Sequence, residues 1–134
     1  MESKKEIYDI IPDQYIPKTL FFKNGTASET ILKAVADANI SFPCIAKPDI
    51  GYKGMGVEKI VALADIAVYA GKINMDFLVQ EFIPYPQEVG IFYCRMPDKP
   101  NGCISGIVAK EVLIVKGDGV STLIKLIERT EEKT

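Results

Sequence analysis

The segment FPCIAKPDIGYKGMGVEKI, residues 42–60, constrains the fold more than any other stretch. The apolar run over 42–47 reads as a buried strand. Three glycines follow within six positions, at Gly51, Gly54 and Gly56, and GVEKI at 56–60 returns as a second strand. Strand, glycine loop, strand makes a hairpin. A P-loop would run from its glycines into a helix instead. Glycine permits positive φ and close backbone approach, so the N–H groups of such a loop can converge on an anion. Lys47 closes the first strand and Lys53 stands within the loop. A lysine ending an apolar strand is costly without an anionic partner. At ~4 Å and an effective dielectric of about 20, a lysine–phosphate pair gains about 4 kcal/mol. On glycine spacing alone, a flexible turn carrying solvated lysines is the plainer reading.

The rest of the chain mixes helices and strands without regular βαβ alternation, which points to an α+β fold. Residues 3–11 read as a short helix with Ile7, Ile10 and Ile11 on one side, ended by Pro12. KTLFF at 18–22 is a strand and KNG at 23–25 a turn. Thr26 and Glu29 form a T-x-x-E capping box ahead of a helix over 26–38, with Ile31, Val35 and Ala38 as its apolar stripe. A second helix covers 63–72, and DFLVQEFI at 76–83 is a strand. PYP at 84–86 bends the chain. Long strands at 87–96 and 103–115 are joined by a turn-rich segment. Ser121 caps a final helix whose core face is Leu123, Ile124 and Ile127.

Composition narrows the function classes. The chain has 134 residues, 48% of them hydrophobic, which suits one domain's length. A net charge of −2 and an isoelectric point near 5.2 leave no global basic footprint for nucleic acid. There is no histidine, which excludes Ser-His-Asp triads, histidine metal ligands and histidine proton shuttles. Cys44, Cys94 and Cys103 make an odd count without C-x-x-C spacing, so neither a disulfide framework nor a zinc knuckle is indicated and a reducing cytoplasm is the default compartment. MESKKEIYDI lacks the apolar region of a signal peptide, and no stretch approaches the ~20 apolar residues of a spanning helix.

Two further stretches carry candidate chemistry. In VQEFIPYPQEVGIF, 79–92, a strand leads to a kink and the chain resumes with Glu88. Main-chain groups freed at a strand break can read a purine edge, and a nearby carboxylate can accept from both ribose hydroxyls. Phe82 and Ile83 would supply apolar walls. A strand crossing with exposed Gln80, Glu81 and Glu88 is the plainer alternative. In GIVAKEV, period two puts Lys110 on the face of Ile104, Val108, Val112 and Ile114, where it needs a partner or a cleft, or snorkels at a sheet edge. Arg95, on the strand before, is a weaker candidate of the same kind.

Taken in order, a strand ending in A-K-P, a G-x-x-G-x-G loop, a helix, then Q-E-F-I and a glutamate before an apolar strand resemble the ATP-grasp superfamily. Within it, the carboxylate–amine ligases of the D-alanine–D-alanine ligase type are most alike, and GDGVSTLIKLI resembles the cyanophycin-synthetase-like branch. The resemblance covers residues 15–130. It implies a lead-in helix over 1–17, a lid subdomain of antiparallel sheet and helices over 18–81, and the first strands of the core over 82–134. It also implies ATP as cofactor and a reaction in which a carboxylate becomes an acyl phosphate for attack by an amine or similar nucleophile. Lys47 would bind the α- and β-phosphates under a mobile loop containing Gly51, Lys53, Gly54 and Gly56. Gln80, Glu81 and Ile83 would form the adenine hinge, Glu88 would hold the ribose, and Lys110 would match a phosphate-facing lysine of the central sheet. Either Lys4 or Lys5 would reach the α-phosphate. Tyr52-Lys53 stands where related sequences often carry arginine, which keeps the charge without the forked geometry.

The family's E-x-N magnesium pair does not occur in the chain. Its nearest pattern, Asp37-Ala38-Asn39, reads as a helix terminus. The N-terminal substrate domain is also lacking. The chain is therefore expected to be an incomplete piece, inactive alone, with magnesium ligands elsewhere and self-association through exposed sheet faces. A non-catalytic ATP-grasp-like domain that binds nucleotide or protein is the alternative.

Overall fold

The computed structural model describes residues 2–51, 54–110 and 114–131. Two compact units divide the chain, Met1–Pro84 and Tyr85–Thr134.

The first unit runs α1 (Lys4–Ile10), a 3-10 turn (Asp13–Tyr15), β1 (Thr19–Phe22), α2 (Ser28–Asp37), β2 (Cys44–Pro48), β3 (Glu58–Ile60), α3 (Leu63–Lys72) and β4 (Phe77–Glu81). The strands form one antiparallel sheet in the order β1-β4-β2-β3. The hairpin expected over 42–60 is present: β2 and β3 pair with Cys44 opposite Ile60 and Ala46 opposite Glu58, joined by the glycine segment. The mixture of helix and antiparallel sheet is the α+β class read from the sequence.

Period two gives the sheet two different faces. Cys44, Ala46, Phe77, Val79, Phe22 and Ile60 are buried on one face with Ile31 and Val35 of α2 and Ile66 and Tyr69 of α3. Phe77 anchors this core, its ring 5.4 Å from Phe22 and 5.5 Å from Tyr69. On the other face stand Thr19, Phe21, Ile45, Lys47, Leu78 and Gln80. Cross-strand partners share a face, and here Lys47 pairs with Leu78 and Thr19 with Gln80. Strand β4 is buried on both sides from Phe77 to Gln80, which is why Phe77, Leu78 and Val79 run without a polar break before Gln80.

Local expectations fail where distant groups intervene. The capping box at Thr26 and Glu29 does not form. Thr26 spends its hydroxyl on Lys23 O at 2.7 Å to close the turn after Gly25, and α2 starts at Ser28. In α1 the apolar side is not the docked side: Ile10 is 81% exposed, while Lys4, Lys5 and Tyr8 make the contacts to the sheet unit. Asp37-Ala38-Asn39 is a helix terminus as read, with Ala38 as C-cap and Asn39 at φ 51°.

The second unit holds a hairpin, β5 (Glu88–Cys94) and β6 (Cys103–Lys110), and helix α4 (Leu123–Glu131). The register shifts at Phe92/Tyr93. Phe92 pairs with Gly106 but Tyr93 pairs with Ile104, leaving Ser105 over. That extra residue moves Ile104 to the face opposite Lys110 and Val108, which corrects the simple period-two assignment. Val112 lies outside the described residues, and Ile114 is no longer in a strand. Ser121 is not the helix cap. Its N–H and hydroxyl both go to Asp118, together with the Val120 N–H, and these donors hold the Asp118 carboxyl well below the usual range. Thr122 takes the cap position, its carbonyl accepting from Leu126 N–H. Leu123 and Ile124 are exposed rather than core.

Tyr69 ties the core to the glycine segment. Its hydroxyl donates to Gly56 O at 2.7 Å, and burial, followed by the Glu58 carboxylate, pushes the phenol up to about 12 from an ordinary value of 10.0. A raised folded value favours the neutral phenol, so this contribution to stability is complete below pH 10 and disappears as pH rises towards 12. Tyr69→Phe should cost about 1 kcal/mol at neutral pH. It should also flatten the loss of stability over that alkaline window in urea titrations. An alkaline slope identical to wild type would remove Tyr69 as its source.

Candidate functional site

The open face of the sheet is organised by an acid that sits directly after β2. Asp49 is 6% exposed and must have partners there. Its carboxylate accepts from Lys5 N–H at 2.8 Å, in the first turn of α1, where Ser3 Oγ also accepts from Glu6 N–H. Its carbonyl accepts from the Lys4 ammonium at 2.9 Å, and its own N–H donates to Asp76 O. A carboxylate at a helix N-terminus is favourable, so Asp49 fixes α1 against the start of the glycine segment. With that first turn fixed, Tyr8, four residues on from Lys4, falls on the same side of the helix.

Tyr8 meets Lys47 there. The half-buried Lys47 ammonium donates to Gln80 Oε1 at 2.7 Å and to the Tyr8 hydroxyl oxygen at 2.9 Å. Gln80 Nε2 donates to Thr19 Oγ1 at 2.7 Å and to the Tyr8 hydroxyl oxygen at 3.3 Å, and the Thr19 hydroxyl donates to Pro17 O at 2.7 Å. Burial alone would raise the Tyr8 phenol. The hydrogen bonds from Lys47 and Gln80, with the charges of Lys47 and Lys4, outweigh it and bring the value below the ordinary one. The expectation that Lys47 requires an anion is thereby corrected: two neutral oxygens satisfy two of its three N–H groups. Its charge is nevertheless uncompensated, because among the described residues neither Lys47 nor Lys4 forms an ion pair.

The glycine segment lies beside Lys4. A Cβ on Gly51 would stand 3.7 Å from the Lys4 ammonium and 3.2 Å from Pro48 Cγ. Gly56 combines φ +72° with a would-be Cβ contact of 3.1 Å to the same proline ring, so no other residue fits there without strain. Gly54 has φ +78° and open space around it. Lys53 lies outside the described residues. Of the two N-terminal lysines, Lys4 reaches this segment, while Lys5 pairs with Asp9.

At the end of β4, the Gln80 side chain belongs to the Lys47 network rather than to a purine edge. Glu81 N–H is spent on Lys18 O at 2.9 Å, and no described group accepts from Ile83 N–H. The Phe82 ring is covered by Lys59, whose ammonium is 4.3 Å from its centroid.

In the second unit, Glu88 and Lys110 are cross-strand partners and form an exposed ion pair. Lys110 thus has its partner, and the pair adds at most about 1 kcal/mol. Arg95 follows β5 and is exposed. The structure brings Lys47 to Gln80, Lys4 to Gly51, and Glu88 to Lys110. Tyr8, Thr19 and Asp49 were missed. The signals were an acid directly after a buried strand and the i, i+4 spacing of Lys4 and Tyr8. Among the described residues no three acidic or cysteine side chains gather to hold a metal ion, so the magnesium implied by the resemblance has no fit on them. No described helix is long and apolar enough to cross a membrane.

Asp49→Ala should leave the Lys5 N–H in the first turn of α1 without its acceptor, at a cost of about 1–2 kcal/mol. Hydrogen exchange should speed up over the first turn of α1 and at Lys47, with β4 left protected. Unchanged exchange in α1 would show that Asp49 does not hold it.

No protein-family model and no curated protein sequence matches the chain. Among solved structures it is similar to the D-alanine–D-alanine ligase from Helicobacter pylori, with 20% identity and a TM-score of 0.50 over 87% of this chain. The chain spans about a third of that ligase's length, 35%. The likeness is one of fold, and it supports the ATP-grasp-like architecture expected from the sequence.

Proposed function

We propose that the chain is the ATP-binding portion of an ATP-grasp ligase that activates a carboxylate as an acyl phosphate for attack by an amine or similar nucleophile. The observation that carries this reading is that the Lys47 and Lys4 ammonium groups, neither in an ion pair among the described residues, both act on Tyr8, with Lys4 beside Gly51. The ligase-like fold supports it. In this reading residues 18–81 are the lid subdomain and residues 82–134 begin the core.

The polyphosphate would take over the Lys47 ammonium from the Tyr8 hydroxyl. A neutral hydrogen bond contributes about 1 kcal/mol net, whereas a full negative charge at ~4 Å contributes about 4 kcal/mol at an effective dielectric of about 20. The Coulomb attraction is the term that would drive the exchange, against the cost of desolvating both charges. Lys4 would reach the α-phosphate, and Gly51, Lys53, Gly54 and Gly56 would close over the chain of phosphates. Gln80, Glu81 and Ile83 would form the adenine hinge, with the Ile83 N–H, unused among the described residues, as its main-chain donor. Glu88 would accept from the ribose hydroxyls once it releases Lys110, which would then face phosphate. The residues described fit no magnesium site, so no step through the metal is derived. A cytoplasmic setting is proposed for the same chemistry.

A second reading is a non-catalytic domain of the same fold that binds nucleotide or protein; the Lys47 network, whose hydrogen bonds are all made to protein groups, is compatible with it. Binding of a protein by this chain with no measurable affinity for ATP would favour it.

Titration with ATP should show Lys47→Ala binding at least about tenfold more weakly than wild type, about 1.4 kcal/mol. Lys72→Ala, an exposed lysine at the end of α3, should stay within about twofold. Equal small effects from both would remove Lys47 from the nucleotide site.

A further inference from the structure

We infer that Cys94 and Cys103 form a dithiol site that closes into an intrachain disulfide on exposure to a low-molecular-weight disulfide such as glutathione disulfide. The two residues are Cα partners across the β5–β6 hairpin, and both are free and exposed. Directly opposed residues in an antiparallel pair have Cα atoms about 4.5–5.5 Å apart, within the roughly 4.4–6.8 Å that a disulfide spans. They also share a face of the hairpin.

The register that joins them is built into the strands. Were the pairing of Phe92 with Gly106 to continue regularly, Cys94 would oppose Ile104. The leftover Ser105 shifts it by one and places Cys94 opposite Cys103. Ser105 Oγ donates to Phe92 O at 3.3 Å beside the shift. Gly102 holds the other side: its N–H donates to the Tyr93 hydroxyl at 2.8 Å, and a Cβ there would lie 2.4 Å from Cys94 O. Only glycine allows the returning chain to pass that close. Cys44 is the internal contrast, buried in the core, with burial pushing its thiol up.

The chemistry is thiol–disulfide exchange. One cysteine, as thiolate, attacks a sulfur of glutathione disulfide, forming a mixed disulfide and releasing one glutathione. The second cysteine, as thiolate, attacks the protein-side sulfur of that mixed disulfide and releases the other glutathione. Two cysteine thiols are oxidised and one small disulfide is reduced to two thiols. The bond closes the turn over 95–102 and pins the hairpin whose far end carries Glu88 and Lys110.

The test treats the full chain with glutathione disulfide, quenches with an alkylating agent and maps the peptides by mass spectrometry. The expected product is a monomer lacking two hydrogens, with Cys94 linked to Cys103 and Cys44 alkylated only after unfolding. Closure in the folded chain should be at least about tenfold faster than in urea, where the thiols are no longer held face to face. Cys94→Ser should instead accumulate glutathione on Cys103, and deletion of Ser105, which keeps Cys94 opposite Cys103 in an unbulged ladder, should still close the bond. Stable mixed disulfides on the wild-type chain, links between chains, or equal closure rates folded and unfolded would each overturn the assignment.

Discussion

An ammonium held on the open face of a sheet by two neutral oxygens is the interaction around which the Met1–Pro84 unit is arranged. Lys47 sits on β2, between buried Ala46 and Pro48, and turns away from the helices. Placing it there obliges β4 to supply Gln80 and α1 to supply Tyr8. It also obliges β1 to supply Thr19 as the next acceptor. Three strands and a helix are thus tied by one connected set of hydrogen bonds, and a partly satisfied set of this kind would cost more than an apolar surface. Among the described residues no carboxylate forms an ion pair with Lys47, and in the proposed reading that charge is what an anion would meet.

The glycine segment serves the same arrangement in two ways. Gly51 and Gly56 let the chain turn tightly over the Pro48 ring, which is a packing requirement. The Tyr69 hydroxyl at one end and Asp49 at the other pin the segment where Lys4 reaches it. The glycines are therefore explained by sterics before any ligand is invoked, and the functional reading rests on the lysines they bring near. The exposed apolar hairpin face, with Val89, Ile91, Tyr93, Ile104 and Ile107, is a surface that isolated monomers seldom leave uncovered.

What was legible in the sequence was what neighbours in sequence decide. The hairpin over 42–60, the helix over 63–72 and the doubly buried β4 follow from apolar runs, glycine positions and periodicity. The misses have a common origin in partners distant along the chain. Asp49 selects which side of α1 docks from 44 residues away, so the isoleucine stripe of that helix misled. The Thr26 hydroxyl was taken by a turn carbonyl, and Ser121 by Asp118, before either could cap a helix. A single leftover residue, Ser105, inverted the face assigned to Ile104, and no composition rule marks such a shift. At the site, Lys47 and Gln80 were read as parts of two separate features, and the register of β2 with β4 makes them one.

The most direct test of the account uses an acyl-phosphate derivative of ATP, which transfers its acyl group to lysines lying along the polyphosphate. After labelling of the full chain and peptide mapping, the account predicts acylation concentrated on Lys47 and Lys4 and suppressed by excess ATP. Acylation spread over exposed Lys23, Lys33 and Lys72, unaffected by ATP and sparing Lys47, would contradict it.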